Sequence, residues 1–223
     1  MDNFSSDKTA LTGPMLLPQN GEKPTSLVVF LHGYGSDGND LIGLAPHFAQ
    51  ALPSAAFISP NAPQPCDINP MGRQWFPLQT ISPSELNTGA AAAREGVNGF
   101  LTVALDHFGL TDGDLILVGF SQGTMMSLET ALRREAPVAG VVGFSGALAG
   151  QERLSSEIKS KPPILLIHGE QDPVVPFEAM AKAKAALEDQ SVSVETLARP
   201  GLQHGIDQEG LMAAIAFTRS KLD

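Results

Sequence analysis

The run Gly119-Phe120-Ser121-Gln122-Gly123 sets a serine between two glycines, directly after an apolar stretch and directly before a helical pattern. A serine hydroxyl is a weak nucleophile until a neighbouring base takes its proton. On a sharp strand-to-helix turn it projects clear of the backbone. The helix N-terminus beside it then favours the negative charge that develops when a carbonyl is attacked. The two glycines leave room for the strand and helix to pack closely at such a turn. The chemistry this spacing suits is acyl transfer through a covalent serine intermediate. Ser145, in Gly143-Phe144-Ser145-Gly146, also ends a strand. It has no second glycine at the required spacing and no helix directly after it, so it reads as a loop residue.

Ser121 needs a base and an acid that orients the base. On a strand–serine–helix turn of this kind the chain order is serine, acid, histidine. His32, His47 and His107 precede the serine, which leaves His168 and His204. His168 ends an apolar strand, ahead of the candidate acid and close to it, and reads as a strand-end histidine bonded to nearby backbone. His204 lies in Gly201-Leu202-Gln203-His204-Gly205, between the last strand and the last helix. Asp172 is the expected acid, in the loop after the strand at residues 164–167, where parallel sheets collect functional groups. Glu170 competes with it; its other reading is a turn carboxylate with no catalytic role. Developing oxyanion charge calls for two main-chain donors. Gln122, directly after the serine, supplies one, and Tyr34, in the Gly-rich loop His32-Gly33-Tyr34-Gly35-Ser36-Asp37-Gly38, the other. That loop lacks the Gly-Lys-Ser/Thr ending of a phosphate loop. The histidines are scattered without metal-ligand spacing, so no metal is expected. Cys66 reads as inert, and Met125 and Met126 as core.

These residues need a scaffold. Short apolar runs at 27–31, 55–59, 114–119, 138–144, 164–167 and 191–197 read as strands, with 14–17 as an added edge strand. Most are apolar throughout, as strands buried on both faces are. Helical patterns alternate with them at 46–52, 84–107, 122–135, 176–189 and 207–221. The alternation predicts a mostly parallel, doubly wound α/β sheet in a single domain spanning residues 1–223, with 1–12 a flexible N-terminal segment. The proline-rich residues 60–83 form the longest irregular piece, and such loops are usually functional. Residues 144–163 are too few for a cap domain. The serine should therefore open to solvent through a shallow apolar groove.

Acidic residues outnumber basic ones 24 to 14, for a formal charge of −10. That excludes the basic face a nucleic-acid partner requires and gives no attraction to anionic lipid. A lone cysteine allows no intrachain disulfide. The polar start lacks a signal-peptide pattern, and no apolar run has the length of a membrane span, so no stable membrane insertion and a cytoplasmic location are expected.

The segments Leu31-His-Gly-Tyr-Gly-Ser-Asp-Gly38, Gly72-Arg-Gln-Trp-Phe76, Gly119-Phe-Ser-Gln-Gly123, His168-Gly-Glu-Gln-Asp-Pro-Val-Val-Pro176 and Gly201-Leu-Gln-His-Gly205 occur in this order. Together they resemble the phospholipase/carboxylesterase family, which includes acyl-protein thioesterases. The resemblance covers the chain from Leu27 onward. It implies an α/β-hydrolase fold without a separate cap domain, hydrolysis of small acyl esters or thioesters, no cofactor, and often a homodimer. It places a triad on Ser121, Asp172 and His204 and oxyanion amides at Tyr34 and Gln122. It sets Trp75 and Val174 beside the acyl pocket, although aromatic burial alone would also explain Trp75 as a loop anchor. Tyr34 stands where the eukaryotic thioesterases commonly have leucine, which leaves protein deacylation open. The expected activity is that of a serine carboxylesterase. A lysophospholipase or acyl-protein thioesterase is the alternative within the class. A non-catalytic binding protein on a hydrolase scaffold is the alternative outside it.

Overall fold

The computed structural model describes residues 2–80 and 82–222. Its strands are β1 (Asp2–Ser6), β2 (Thr9–Leu16), β3 (Ser26–Leu31), β4 (Ala55–Ile58), β5 (Gln64–Pro65), β6 (Arg73–Gln74), β7 (Leu115–Phe120), β8 (Gly140–Phe144), β9 (Ile164–Gly169) and β10 (Val194–Arg199). Its helices are α1 (Gly38–Leu41), α2 (Ala45–Ala51), α3 (Pro83–Phe108), α4 (Gln122–Ala131), α5 (Gln151–Glu157), α6 (Glu178–Glu188) and α7 (Gln208–Leu222). Eight strands form one sheet in the order β1-β2-β4-β3-β7-β8-β9-β10, and β5 and β6 pair separately. From β4 to β10 all pairings are parallel, whereas β1–β2 and β2–β4 are antiparallel.

The strand sequences dictate burial on both faces. Leu27, Val29, Leu31, Leu115 and Leu117 join the cluster that α3, α4 and α6 complete on one side. Val28, Phe30, Ile116 and Val118 alternate with them and pack against α1, α2 and α7 on the other. Burying one such side chain contributes about 1.5–3 kcal/mol, so a slip of one residue in either strand would be costly. After β3 the chain goes to β4 on one side and later returns to β7 on the other. This reversal opens a crevice at the carboxyl ends of β3 and β7.

α3 is the longest helix described, and its limits follow from its ends. The Ser82 hydroxyl accepts from the Glu85 amide, Pro83 occupies the first turn, and Gly109 closes the helix at φ 72°. α4 was expected to reach about residue 135 but stops at Ala131. The turn beyond it sends Arg133 to Glu129 and Glu157, and Arg134 to Asp112. Glu129 is fully buried in the last turn of α4, where Arg94 of α3 and Arg153 of α5 also reach it. Burial pushes its carboxyl above the ordinary value, against the pull of Arg133, Arg153 and Arg94.

Two expectations need correction. Residues 2–12, expected to be flexible, belong to the β1–β2 hairpin, which extends the sheet beyond β4. Phe4 and Leu11 anchor it in the core, and the Phe4 ring meets Phe100 of α3 edge-on at 5.4 Å. Residues 60–83 are not wholly irregular, because β5 and β6 pair within them. Only the short α5 lies between β8 and β9, and no cap covers the sheet among the described residues. Among those residues no helix is long and apolar enough to cross a membrane.

Candidate active site

Ser121 follows β7 directly and caps α4 with φ 53° and ψ −116°, a strained conformation for a side-chain-bearing residue. Its surroundings hold it there. Its N–H donates to Phe144 O at 2.9 Å, and its carbonyl accepts from Thr124 N at 3.0 Å. The glycines on either side are required by contact. A Cβ on Gly119 would lie 2.5 Å from the Gly123 backbone, and one on Gly123 would lie 1.7 Å from Leu31 O. The helix start is thus pressed against the end of β3.

The loop after β3 runs beside the serine, since a Cβ on Gly33 would sit 3.5 Å from Ser121 Cβ. His32 shapes this loop. Its Nε2 accepts from the Ala62 amide at 3.0 Å, so the proton is on Nδ1, which donates to Gly33 O at 2.8 Å. Burial holds this imidazole below its ordinary pKa and keeps it neutral, although the Gly33 hydrogen bond acts the other way. In a trans peptide the N–H points opposite the carbonyl, so fixing Gly33 O also fixes the direction of the Tyr34 N–H. The main-chain N–H groups of Tyr34 and Gln122 donate to no acceptor among the described residues. The Tyr34 phenol is pushed up to about 12, first by burial and then by the Cys66 thiol beside it.

The Gln122 side chain is fully buried and bridges to the two residues that follow β6. Its carbonyl accepts from Trp75 N at 2.9 Å and its amide donates to Phe76 O at 2.7 Å. Arg73 in turn accepts from Gly35 N at 2.9 Å and donates to Ser36 O at 2.7 Å. Trp75 is 1% exposed, and its indole N–H donates to His32 O at 2.9 Å. Its ring is therefore a loop anchor and not an exposed pocket wall.

Asp172 and His204 meet across two loops. His204 Nδ1 donates to Asp172 Oδ2 at 2.7 Å, and the Asp172 side chain is fully buried. The loops are laced together, with Gln171 N donating to Leu202 O at 3.0 Å and Glu170 N to Arg199 O at 3.1 Å. The other face of the His204 ring rests on Phe120, centroids 4.9 Å apart, one residue before the serine. Burial alone would raise the Asp172 carboxyl. Hydrogen bonds from His204, Val174 and Val175 outweigh that and hold it below its ordinary value. Glu170 is exposed. His168 is buried and bonded to backbone as expected, with Nε2 2.9 Å from Val175 O.

Close to this group runs an apolar groove of about 730 Å³, lined among others by Pro83, Leu86, Ala147, Leu148, Val175 and Ala179. Gly146, just before Ala147, lies against the Ser121 carbonyl, while Ser121 and His204 are not among the residues that line the groove. Neither Trp75 nor Val174 belongs to its lining. Val174 stands 47% exposed beside the Asp172 loop. Sequence reasoning missed the groove residues, the Gln122 bridge and the His32 support, because each depends on partners far away in the chain. The one available signal was polar side chains at otherwise apolar positions.

A strained serine turn at the switch point of a mostly parallel sheet, with no cap above it among the described residues, defines an α/β hydrolase, and its class is that of the ester hydrolases. The chain belongs to the phospholipase/carboxylesterase family, whose sequence model matches residues 17–222. A crystal structure of esterase PE8 superposes with a TM-score of 0.92 at 43% identity, covering 95% of this chain and 99% of that one. A probable carboxylesterase of Oryza sativa subsp. japonica is 33% identical, over 88% of this chain and 78% of the relative. Acyl-protein thioesterase 1 of Gibberella zeae is 27% identical, over 94% of this chain and 95% of the relative.

Proposed function

We propose that this chain is a serine carboxylesterase working through an acyl-enzyme, with Ser121, His204 and Asp172 as its triad. The observation that carries the reading is the 2.7 Å bond from His204 to buried Asp172, with the same imidazole resting on the residue before a serine at φ 53°. Ser121 attacks the ester carbonyl while His204 takes its proton and Asp172 stabilises the resulting cation. The oxyanion is met by the free N–H groups of Tyr34 and Gln122, directed before substrate arrives. His204 returns the proton to the leaving alcohol. Water then attacks the acyl-enzyme by the same route.

The acyl chain lies in the groove past Ala147 and Val175, and Val174 flanks its mouth. Thioester hydrolysis is the second reading, motivated by the thioesterase named among the relatives. The test is labelling with a fluorophosphonate, together with rates on matched esters, thioesters and lysophospholipids. Ser121→Ala should abolish labelling and lower kcat by about six orders of magnitude. Labelling that persists in Ser121→Ala refutes the assignment. A higher kcat/KM on thioesters than on esters of the same chain moves the protein to the second reading.

A further inference from the structure

We propose that His168 is a positioning residue that shares the Asp172 carboxylate with His204 and so limits how strongly that carboxylate holds the His204 cation. The proposal rests on the triad reading above. His168 is the penultimate residue of β9 and is 2% exposed. Its Nε2 lies 2.9 Å from Val175 O and 3.3 Å from Asp172 Oδ2. A carbonyl only accepts, so this nitrogen carries the proton. The N–H is directed at the Val175 carbonyl, and the same nitrogen lies beside the carboxylate. The Phe177 ring stands edge-on to the imidazole, centroids 6.0 Å apart, and limits its tilt.

From the side of Asp172 the arrangement is a filled shell. Oδ1 accepts from Val174 N at 2.8 Å and Val175 N at 2.9 Å. Oδ2 accepts from His204 at 2.7 Å and faces His168 at 3.3 Å. A buried carboxylate that accepts three hydrogen bonds and faces a fourth N–H has less negative charge to offer any one of them. Val175 is held at both ends, its N–H by Asp172 and its carbonyl by His168. The turn that presents the acid is thereby fastened to the end of β9. The other charged groups on the surrounding elements are directed elsewhere. Glu170, Glu178 and Lys182 are exposed, and the Arg199 guanidinium is taken up by Asp207 and Glu209.

Removing the His168 N–H should leave more of the Oδ2 charge to His204. The protonated imidazole is then favoured, and the acid limb of the kcat/KM profile moves to higher pH. For an N–H held 3.3 Å from a charged group the shift is about half a unit to one unit. The experiment compares pH profiles of wild type, His168→Leu, His168→Asn and His168→Gln on one soluble ester, with thermal melts to confirm folding. Leucine and the short asparagine should both raise the limb. Glutamine, whose amide N–H reaches the position of Nε2, should return it to within about 0.2 units of wild type. If leucine or asparagine lowers the rate by one factor at every pH and leaves the limb in place, His168 is structural and the proposal is overturned. If leucine does not fold, asparagine against glutamine decides. Asp172→Asn in the His168 background serves as the control. Full activity there would bring down the triad reading itself, whereas an inactive Asp172→Asn with an unmoved limb in the His168 variants brings down only this proposal.

Discussion

Replacing Gln122 by methionine keeps the main-chain amide next to Ser121, the proposed nucleophile, and removes only the polar head of the side chain. That head is buried and makes two hydrogen bonds, one from Trp75 N and one to Phe76 O. Methionine is close in volume and offers neither, so two buried backbone groups lose their partner. Each such group costs about 1–3 kcal/mol. The apolar head of methionine recovers part of this, leaving a loss of about 2–3 kcal/mol. In a chain of this size that lowers Tm by about 4–12 °C. The catalytic effect travels through Arg73, which pairs with Gly35 and Ser36 next to the expected oxyanion donor Tyr34. Complete loss of an oxyanion donor costs about a hundred- to a thousandfold, so a loosened one should cost about ten- to a hundredfold in kcat. KM should change little, because Gln122 does not line the groove. Thermal melts and steady-state rates on a soluble ester read both effects. Unchanged Tm and kcat would show that the side chain is not a strut. A raised KM with normal kcat would show that it acts on substrate binding instead.

Three further outcomes follow from the same geometry. Asp172→Asn should fold and lose about ten-thousandfold in kcat, because the wrong His204 tautomer is favoured, while Glu170→Gln should change the rate less than about threefold; the reverse pattern would move the acid to Glu170. The Asp172 carboxyl is depressed in the folded state, with burial opposing and the His204, Val174 and Val175 bonds prevailing, so its stabilisation is present above the unfolded pKa and is lost as pH falls through the folded one. The Tm gap between wild type and Asp172→Asn should hold steady down to about pH 4 and close below it, and a gap that widens on acidification would contradict the sign. Short and medium acyl esters should be hydrolysed below the concentration at which they aggregate, each further CH₂ in the groove contributing about 0.8 kcal/mol until it is filled, and a sharp rate jump on aggregation would contradict an uncapped site.

The parts of the site written as local pattern were legible in the sequence. The turn around Ser121 is five consecutive residues between a strand and a helix, and chain order alone separated His204 from the other histidines. The parallel sheet was legible because strands buried on both faces carry apolar runs. The hairpin at residues 2–12 was not, because its alternation is weak and Phe4 is placed by contacts with Phe100 and His107 on α3, far away in the chain. The early end of α4 was hidden for a related reason, as helical periodicity continues through Arg133 and Arg134 and only their distant carboxylates withdraw them. The role of Trp75 was undecidable from one sequence, since an aromatic wall and an aromatic anchor have the same composition. A 2.9 Å bond to His32 O distinguishes them.

The pairing of β3 with β7 also bears on how the enzyme becomes active as it folds. Leu31 and Gly119 are register partners, and the loop at residues 32–38 and Ser121, the proposed oxyanion loop and nucleophile, leave the sheet from the ends of these two strands. Between them in the chain lie β4, the β5–β6 pair and the whole of α3, which makes this the least local pairing in the main sheet. Closing so long a loop costs entropy before any contact across it compensates. β9 and β10, by contrast, are joined through a single helix and can pair early. During refolding, secondary structure should therefore return ahead of esterase activity, with recovered turnover timing the moment when the two distant halves of the chain join.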